Sequence, residues 1–244
     1  MLKKISYMTA GESHGKGLIG IIEGIPAGMN ITEEYIEKDL LRRMQGHGRG
    51  GRMKIEKDHA EIFSGVRHAV TLGSPISLLI KNFDWVNWED RMATGKPKKE
   101  HRKVSMPRPG HADLAGVMKY GLDDIRNVLE RSSARETAMR VAIGAVCRKL
   151  LEEVGITVGS RVYQIHNIVD NTPVSNDMGL KELNDTVDAS PVRCFDKDAE
   201  KKMMDVIDEA RNNGDSVGGS FEVIAKGLPY GLGTYINADG KLQA

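Results

Sequence analysis

Cysteine is scarce: Cys147 and Cys194 are the only two in 244 residues. That excludes a disulfide scaffold, and with histidines scattered along the chain it leaves no zinc-ligand spacing. The expectation is a reduced, cytoplasmic protein without a metal. An excess of one charge is also missing. Lys and Arg number 35 and Asp and Glu 34, a formal net charge of +1, so neither a nucleic-acid surface nor a membrane surface is expected. Long apolar runs are absent. Stretches such as Ile76-Ser77-Leu78-Leu79-Ile80 fall far short of the roughly 20 residues that cross a bilayer. Lys3 and Lys4 are followed by no apolar segment, so a secretory signal is not expected. There is no internal repeat and no low-complexity linker, and the chain reads as one domain over 1–244.

What is present is a succession of short strands and amphipathic helices. Strands are expected at Ile5 to Thr9 and Leu18 to Glu23, with a glycine-rich turn between them. Thr32 reads as an N-cap, with Glu33 and Glu34 in the first turn of a helix reaching about Met44. Its apolar positions Tyr35, Ile36, Leu40 and Leu41 keep helical spacing. Strands follow at Ala60 to Ser64 and Ile76 to Ile80. Residues 82 to 104 read as an exposed, irregular excursion anchored by Trp85 and Trp88.

The clearest helix starts at Ser133, which forms an S-x-x-E capping box with Glu136. Ala134, Ala138, Ala142 and Ala145 line one face, so another element is expected to approach closely there. Cys147 falls on its buried side. The helix ends near Val154-Gly155. A strand from Ile156 to Ile165, a polar loop, a helix from Asp196 to Asn212 and a strand from Ser220 to Ala225 complete the reading. Asp239-Gly240-Lys241-Leu242-Gln243-Ala244 reads as the lead-in to a helix, and the expectation is a chain cut short.

Four patches carry chemistry. Gly11-Glu12-Ser13-His14-Gly15 fits the G-x-S-x-G pattern of a hydrolase elbow, which needs a strand, the turn and then a helix. Here a strand follows, so the reading weighs against a hydrolase. A plain turn is the other alternative; Glu, Ser and His together favour a ligand-facing turn with His14 as acid or base. Arg42, Arg43 and Arg52 flank Gly46-His47-Gly48-Arg49-Gly50-Gly51, and Arg49 lies within it. Glycine permits close backbone approach and arginine offers a planar fork for carboxylate or phosphate. An RNA-binding Arg-Gly segment would need repeats with interleaved aromatics, and this is one copy with none. A solvated loop is the remaining reading.

Arg108-Pro109-Gly110-His111-Ala112-Asp113 puts a histidine after a Pro-Gly turn. Asp113 either orients His111 or caps the segment from Leu114, and the sequence does not choose. Arg131-Ser132-Ser133 sits where a helix begins, where free amides and a partial positive charge suit an anion; a simple cap is compatible with that role. Arg43, Arg49, Arg52, Arg108, Arg131 and Arg135 with His14 and His111 would suit a ligand carrying several negative charges.

These motifs, in this order, resemble the chorismate synthase family. The segments that carry the likeness are Thr9-Ala10-Gly11-Glu12-Ser13-His14-Gly15, Gly48-Arg49-Gly50-Gly51-Arg52-Met53, Ser64-Gly65-Val66-Arg67-His68, Arg108 to Asp113, and Leu129-Glu130-Arg131-Ser132-Ser133-Ala134-Arg135-Glu136-Thr137. The resemblance implies an α+β fold, with helices sandwiched between mainly antiparallel β-sheets. It implies a lyase of the shikimate pathway of aromatic amino acid biosynthesis, converting 5-enolpyruvylshikimate 3-phosphate to chorismate by anti-1,4-elimination of phosphate. The implied cofactor is reduced FMN, with NADPH as an indirect reductant or a separate flavin reductase as partner. The implied assembly is a homotetramer.

By the same resemblance His14 protonates the reduced flavin and His111 the departing phosphate. Ser13, Arg43, Arg49, Arg52, Arg108 and Arg135 hold the substrate, while Arg131, Ser132 and Ser133 contact the flavin or the phosphate beside it. Family chains continue past Ala244 into segments that add to the flavin pocket and supply a catalytic aspartate.

Overall fold

The computed structural model describes residues 4–49 and 58–236. Its elements run β1 (Ser6–Ala10), β2 (Gly17–Glu23), α1 (Glu33–Met44), β3 (Ala60–Ser64), β4 (Val66–Arg67), β5 (Val70–Thr71), β6 (Ile76–Lys81), α2 (Asp113–Tyr120), α3 (Arg126–Leu129), α4 (Thr137–Glu153), β7 (Thr157–Ile165), β8 (Ile168–Val169), α5 (Leu180–Asp188), α6 (Lys197–Asn212) and β9 (Gly219–Lys226). Among the described residues every strand pairing is antiparallel. This is the α+β class that the resemblance implies.

The described residues fall into two compact units. One holds the chain up to Met44 and from 58 to Cys147; the other holds Gln45–Arg49 and the chain from Arg148. In the first, the sheet order is β1-β2-β6-β3. β2 alternates strictly: Leu18, Gly20 and Ile22 are buried while Ile19 and Ile21 are exposed. Period-two alternation of this kind marks a sheet with one packed face. On the packed side α4 comes close at Gly20. A Cβ at Gly20 would lie 2.5 Å from Met139 Sδ and 2.9 Å from Ile143 Cδ1. The small-residue stripe of α4 is partly realised: Ala138, Ala142 and Ala145 are buried, with Met139, Ile143 and Val146 beside them. Ala134 is exposed and precedes the α-helix. Ile36 and Leu40 bury the inner face of α1.

In the second unit β7 is the central strand, in the order β8-β7-β9. Leu180, Leu183 and Val187 of α5 form one core cluster, and Leu180 and Leu183 reach the backbone at Gly159 of β7. Ala199 and Met203 of α6 form another with Val192 and Cys194. Asp196 caps α6 by accepting from the amides of Asp198 and Ala199, as its type predicts. Cys147 and Cys194 are both free thiols, and burial pushes both above the usual thiol range.

The capping box at Ser133 is only half formed. Ser133 Oγ accepts from the Arg135 amide, and a 3-10 turn over Ala134–Glu136 leads into α4 at Thr137. Glu136 does not close the box. Its carboxylate takes a hydrogen bond from Thr9 Oγ1 at 2.7 Å and from Arg140 Nε at 2.9 Å. Burial works against that carboxylate, yet the hydrogen bonds from Thr9 and Arg140 prevail and hold its pKa below the ordinary value.

Candidate active site

The site grows from the turn between β1 and β2. Gly11 has φ +106°, and a Cβ there would lie 2.4 Å from Gly17 O, so only glycine lets the chain reverse at this point. The Gly15 amide donates to Glu12 O at 3.0 Å. Buried Asn82, just after β6, donates from Nδ2 to Gly15 O at 2.8 Å and from its amide to Lys16 O at 3.0 Å. The turn leads from strand to antiparallel strand, which is not the strand-to-helix geometry of a hydrolase elbow.

The segment Glu130 to Glu136 clamps this turn from more than a hundred residues away. The Ser13 amide donates to Glu130 O at 2.9 Å. Glu130 is 2% exposed. Its carboxylate accepts the His14 amide at 2.9 Å and faces His14 Nδ1 at 2.8 and 3.0 Å. Arg126 Nη1 donates to the same carboxylate at 2.9 Å. Trp88 stacks on the His14 ring with centroids 3.8 Å apart. Trp88 is held in turn by its Nε1 donating to Asp84 Oδ2 at 2.8 Å, with the Arg126 guanidinium 5.4 Å from its ring centre.

Arg131 donates to Thr9 O and Thr9 Oγ1 at 2.8 Å and to Gly11 O at 3.2 Å, so its guanidinium braces the turn. Ser133 Oγ donates to Ser13 Oγ at 3.1 Å. Ser132 has its amide on Val128 O at 3.0 Å and is exposed.

A second cluster forms around Asp58, whose side chain is 1% exposed. Arg43 Nη1 donates to its Oδ2 at 3.2 Å, and Arg135 Nη1 pairs with its Oδ1. Arg43 also donates to Ala134 O at 3.1 Å and to Thr137 Oγ1 at 3.2 and 3.3 Å. Arg43 and Arg135, at the two ends of a long stretch of chain, thus share one carboxylate. Arg135 is itself buried.

Asp113 does neither of the two things the sequence allows. It accepts from the Arg108 amide, Nε and Nη2, each at 2.9 Å. Those bonds from Arg108 hold the buried carboxyl down at about 2. The pair also raises the Arg108 pKa, and the Glu130 charge adds to that rise, so the Arg108 loop lies within electrostatic reach of the His14 cluster. His111 is exposed and is oriented by its own loop, with Nδ1 2.9 Å from Pro109 O.

Arg49 belongs to the second unit. It is exposed and donates from Nε to Gln45 O at 3.1 Å. The loop around it is pinned to α6 by His47 Nε2 to Asp208 Oδ1 at 2.9 Å. Arg52 lies outside the described residues.

The family model described as chorismate synthase matches residues 5–244. The chain belongs to the chorismate synthase family. The chorismate synthase of Bacillus subtilis is 54% identical to it over 244 residues, covering 98% of this chain and 62% of the relative. That of Listeria welshimeri is 53% identical over 241 residues, with the same shares. A solved structure titled "Crystal Structure of Chorismate Synthase" matches with a TM-score of 0.78 at 41% identity, covering 98% of this chain and 63% of that one. The chain therefore spans 62% of the length of these curated relatives.

In this chorismate synthase family member, four side chains around the predicted set are ones to which the sequence assigns no site role, Trp88 being expected only as an anchor. Glu130 meets the amide and Nδ1 of His14, Arg126 donates to Glu130, Trp88 stacks on His14, and Asp58 joins two arginines. Glu130 sits directly before Arg131-Ser132-Ser133, so its place in that motif was a signal. Asp58 carries no motif at all.

Proposed function

We propose that this chain carries the chemistry of its family: a lyase that eliminates phosphate from 5-enolpyruvylshikimate 3-phosphate in anti-1,4 fashion, giving chorismate in the shikimate pathway. The observation that carries the reading is the His14 turn. A titratable imidazole is held at the mouth of a glycine turn by a buried carboxylate and an indole, among arginines suited to an anionic substrate.

The residues divide the work by their surroundings. His14, with its side chain about one-fifth exposed, is placed to pass a proton to a bound ligand. His111 is exposed on a loop, where it can protonate the departing phosphate; a protonated phosphate leaves more readily. Arg108, locked by Asp113 into one orientation, is a fixed fork for a phosphate or carboxylate. Arg43 and Arg135 serve substrate binding as a pair set by Asp58, and Arg49 and Arg52 are proposed as further substrate-binding residues.

Reduced FMN is the proposed cofactor. The side chains fit such a group: Ser132 offers an exposed hydroxyl at the turn that precedes α4, and Arg131 adds positive charge while bracing the β1–β2 turn. Ser13, Ser133 and His14 would complete its surroundings. When bound, reduced FMN lends an electron to a reaction with no net redox change. We also propose a cytoplasmic homotetramer, its flavin reduced by a separate reductase with NADPH as the indirect source. The exposed apolar side chains Met8, Ile19 and Ile21, which share one face of the first sheet, support self-association.

The test is spectroscopic. The chain is mixed anaerobically with reduced FMN, and the phosphate ester is then added. A flavin difference spectrum that appears only with the ester supports the reading. A protein that leaves the flavin spectrum unchanged with and without the ester contradicts it.

A further inference from the structure

The buried carboxylate behind His14 is used by no step above. Its surroundings are unusual: it is almost wholly buried, yet it receives three donors. The His14 amide and Arg126 Nη1 each point at it at 2.9 Å. An ionised carboxylate has acceptors only. The third partner, His14 Nδ1, lies 2.8 and 3.0 Å from its two oxygens and must therefore bring a proton to the contact.

We infer that Glu130 is the positioning residue of His14. It fixes the neutral ring as the Nδ1–H tautomer, so the proton exchanged with a ligand is the one on Nε2. The ring has two freedoms to lose, rotation about its bonds and choice of tautomer. Glu130 removes the second through Nδ1 and, by also taking the His14 amide, ties the ring and its own backbone to one anchor. Trp88 removes much of the first by stacking at 3.8 Å.

Arg126 links the two supports. It donates to the carboxylate and lies 5.4 Å from the Trp88 ring centre. When His14 gives up the Nε2 proton to a bound ligand, the ring is left neutral with Nδ1–H still on Glu130, and no rearrangement is needed before the proton returns.

The inference rests on the proposed proton-transfer role of His14 only where it concerns turnover. The tautomer itself can be read without any reaction. The protein is labelled with 15N-histidine, and long-range 1H–15N spectra are recorded at a pH where the ring is neutral. His14→Asn supplies the assignment, because the Nδ1 of His111 and of His166 also face oxygen acceptors. The expected result is a pyrrole-type Nδ1 and a pyridine-type Nε2 for His14. The reverse pattern, which free imidazole side chains favour, overturns the inference.

Glu130→Gln extends the test to function. An amide can turn its NH2 toward Nδ1 and favour the other tautomer, so kcat is expected to fall about 10- to 100-fold with KM little changed. Glu130→Asp, which keeps the charge, should recover part of that loss. A Gln variant with unchanged kcat, or one in which only KM rises, contradicts the inference. An inactive wild-type chain that still shows the Nδ1–H tautomer sinks the catalytic reading and leaves the positioning role standing.

Discussion

Replacing Asp58 by Asn removes a charge from an enclosed ionic cluster of the first unit while keeping the side-chain volume. The side chains involved are 1% exposed for Asp58, 5% for Arg135 and 11% for Arg43. Removing one partner of a buried ion pair costs about 3–5 kcal/mol, because the other charge stays in a poorly solvated place. Asn retains one carbonyl oxygen for one of the two guanidiniums, so the lower end, about 3 kcal/mol, is expected. Whole domains are stable by only about 5–15 kcal/mol, which makes this a large loss.

The assay is urea unfolding followed by tryptophan fluorescence. Trp85 and Trp88 are the only tryptophans, and both belong to the first unit, so the signal reports the unit that contains the cluster. With a urea slope near 3 kcal/mol/M, the midpoint should fall by roughly 1 M. Adding Arg135→Gln to Asp58→Asn should cost less than Arg135→Gln alone, with a coupling of roughly 0.5–3 kcal/mol. A loss below about 1 kcal/mol, or strictly additive variants, would refute the view that Asp58 holds the two arginines.

Three further outcomes are expected. Asp113→Asn should destabilise the protein at neutral pH but progressively less in acid. The Asp113 pKa lies near 2 against an ordinary 3.8. Its contribution is therefore complete above the ordinary value and lost as pH falls toward the lower one. A wild-type-minus-variant difference in unfolding free energy that grows with acidity would run against this. Gly20→Ala should cost about 1–3 kcal/mol by overpacking Met139 and Ile143, outweighing the roughly 0.5–1 kcal/mol gained in backbone entropy; a stabilised variant in thermal melts would contradict that packing. His111→Ala should lower kcat more than it raises KM, and a pure rise in KM would remove its proton-donor role.

Much of the fold was legible because strong periodicity and caps coincide. The expected strand from Ala60 to Ser64 matches β3 end to end, and the helix after Thr32 ends at Met44 as its spacing predicts. The segment that forms α5 reads as polar loop, although Leu180, Leu183 and Val187 keep helical spacing and are buried. Its exposed face is so polar that it masks the narrow apolar stripe. α2 and α3 are short, and propensity alone rarely announces helices of one or two turns.

The capping box at Ser133 failed in a physical way. Glu136 had a better offer from Thr9 and Arg140 than from its own helix terminus. The site followed the same rule. His14 and its glycine turn could be read locally, because the backbone conformation at Gly11 demands glycine. The partners that touch His14, Trp88 and Glu130, are 74 residues or more from it along the chain, and only folding brings them together. Asp113 shows the limit of local reading from the other side. Its neighbour His111 suggested a pairing, and Arg108 won it with three hydrogen bonds.

The proposed lyase reaction is open to a direct assay, anaerobic product formation. The chain is incubated with chemically reduced FMN and 5-enolpyruvylshikimate 3-phosphate, with the chorismate synthase of Bacillus subtilis as a control. The account predicts chorismate and inorganic phosphate in equal amounts, abolished by His14→Ala. Phosphate release without chorismate, or product formation that survives His14→Ala unchanged, would contradict it.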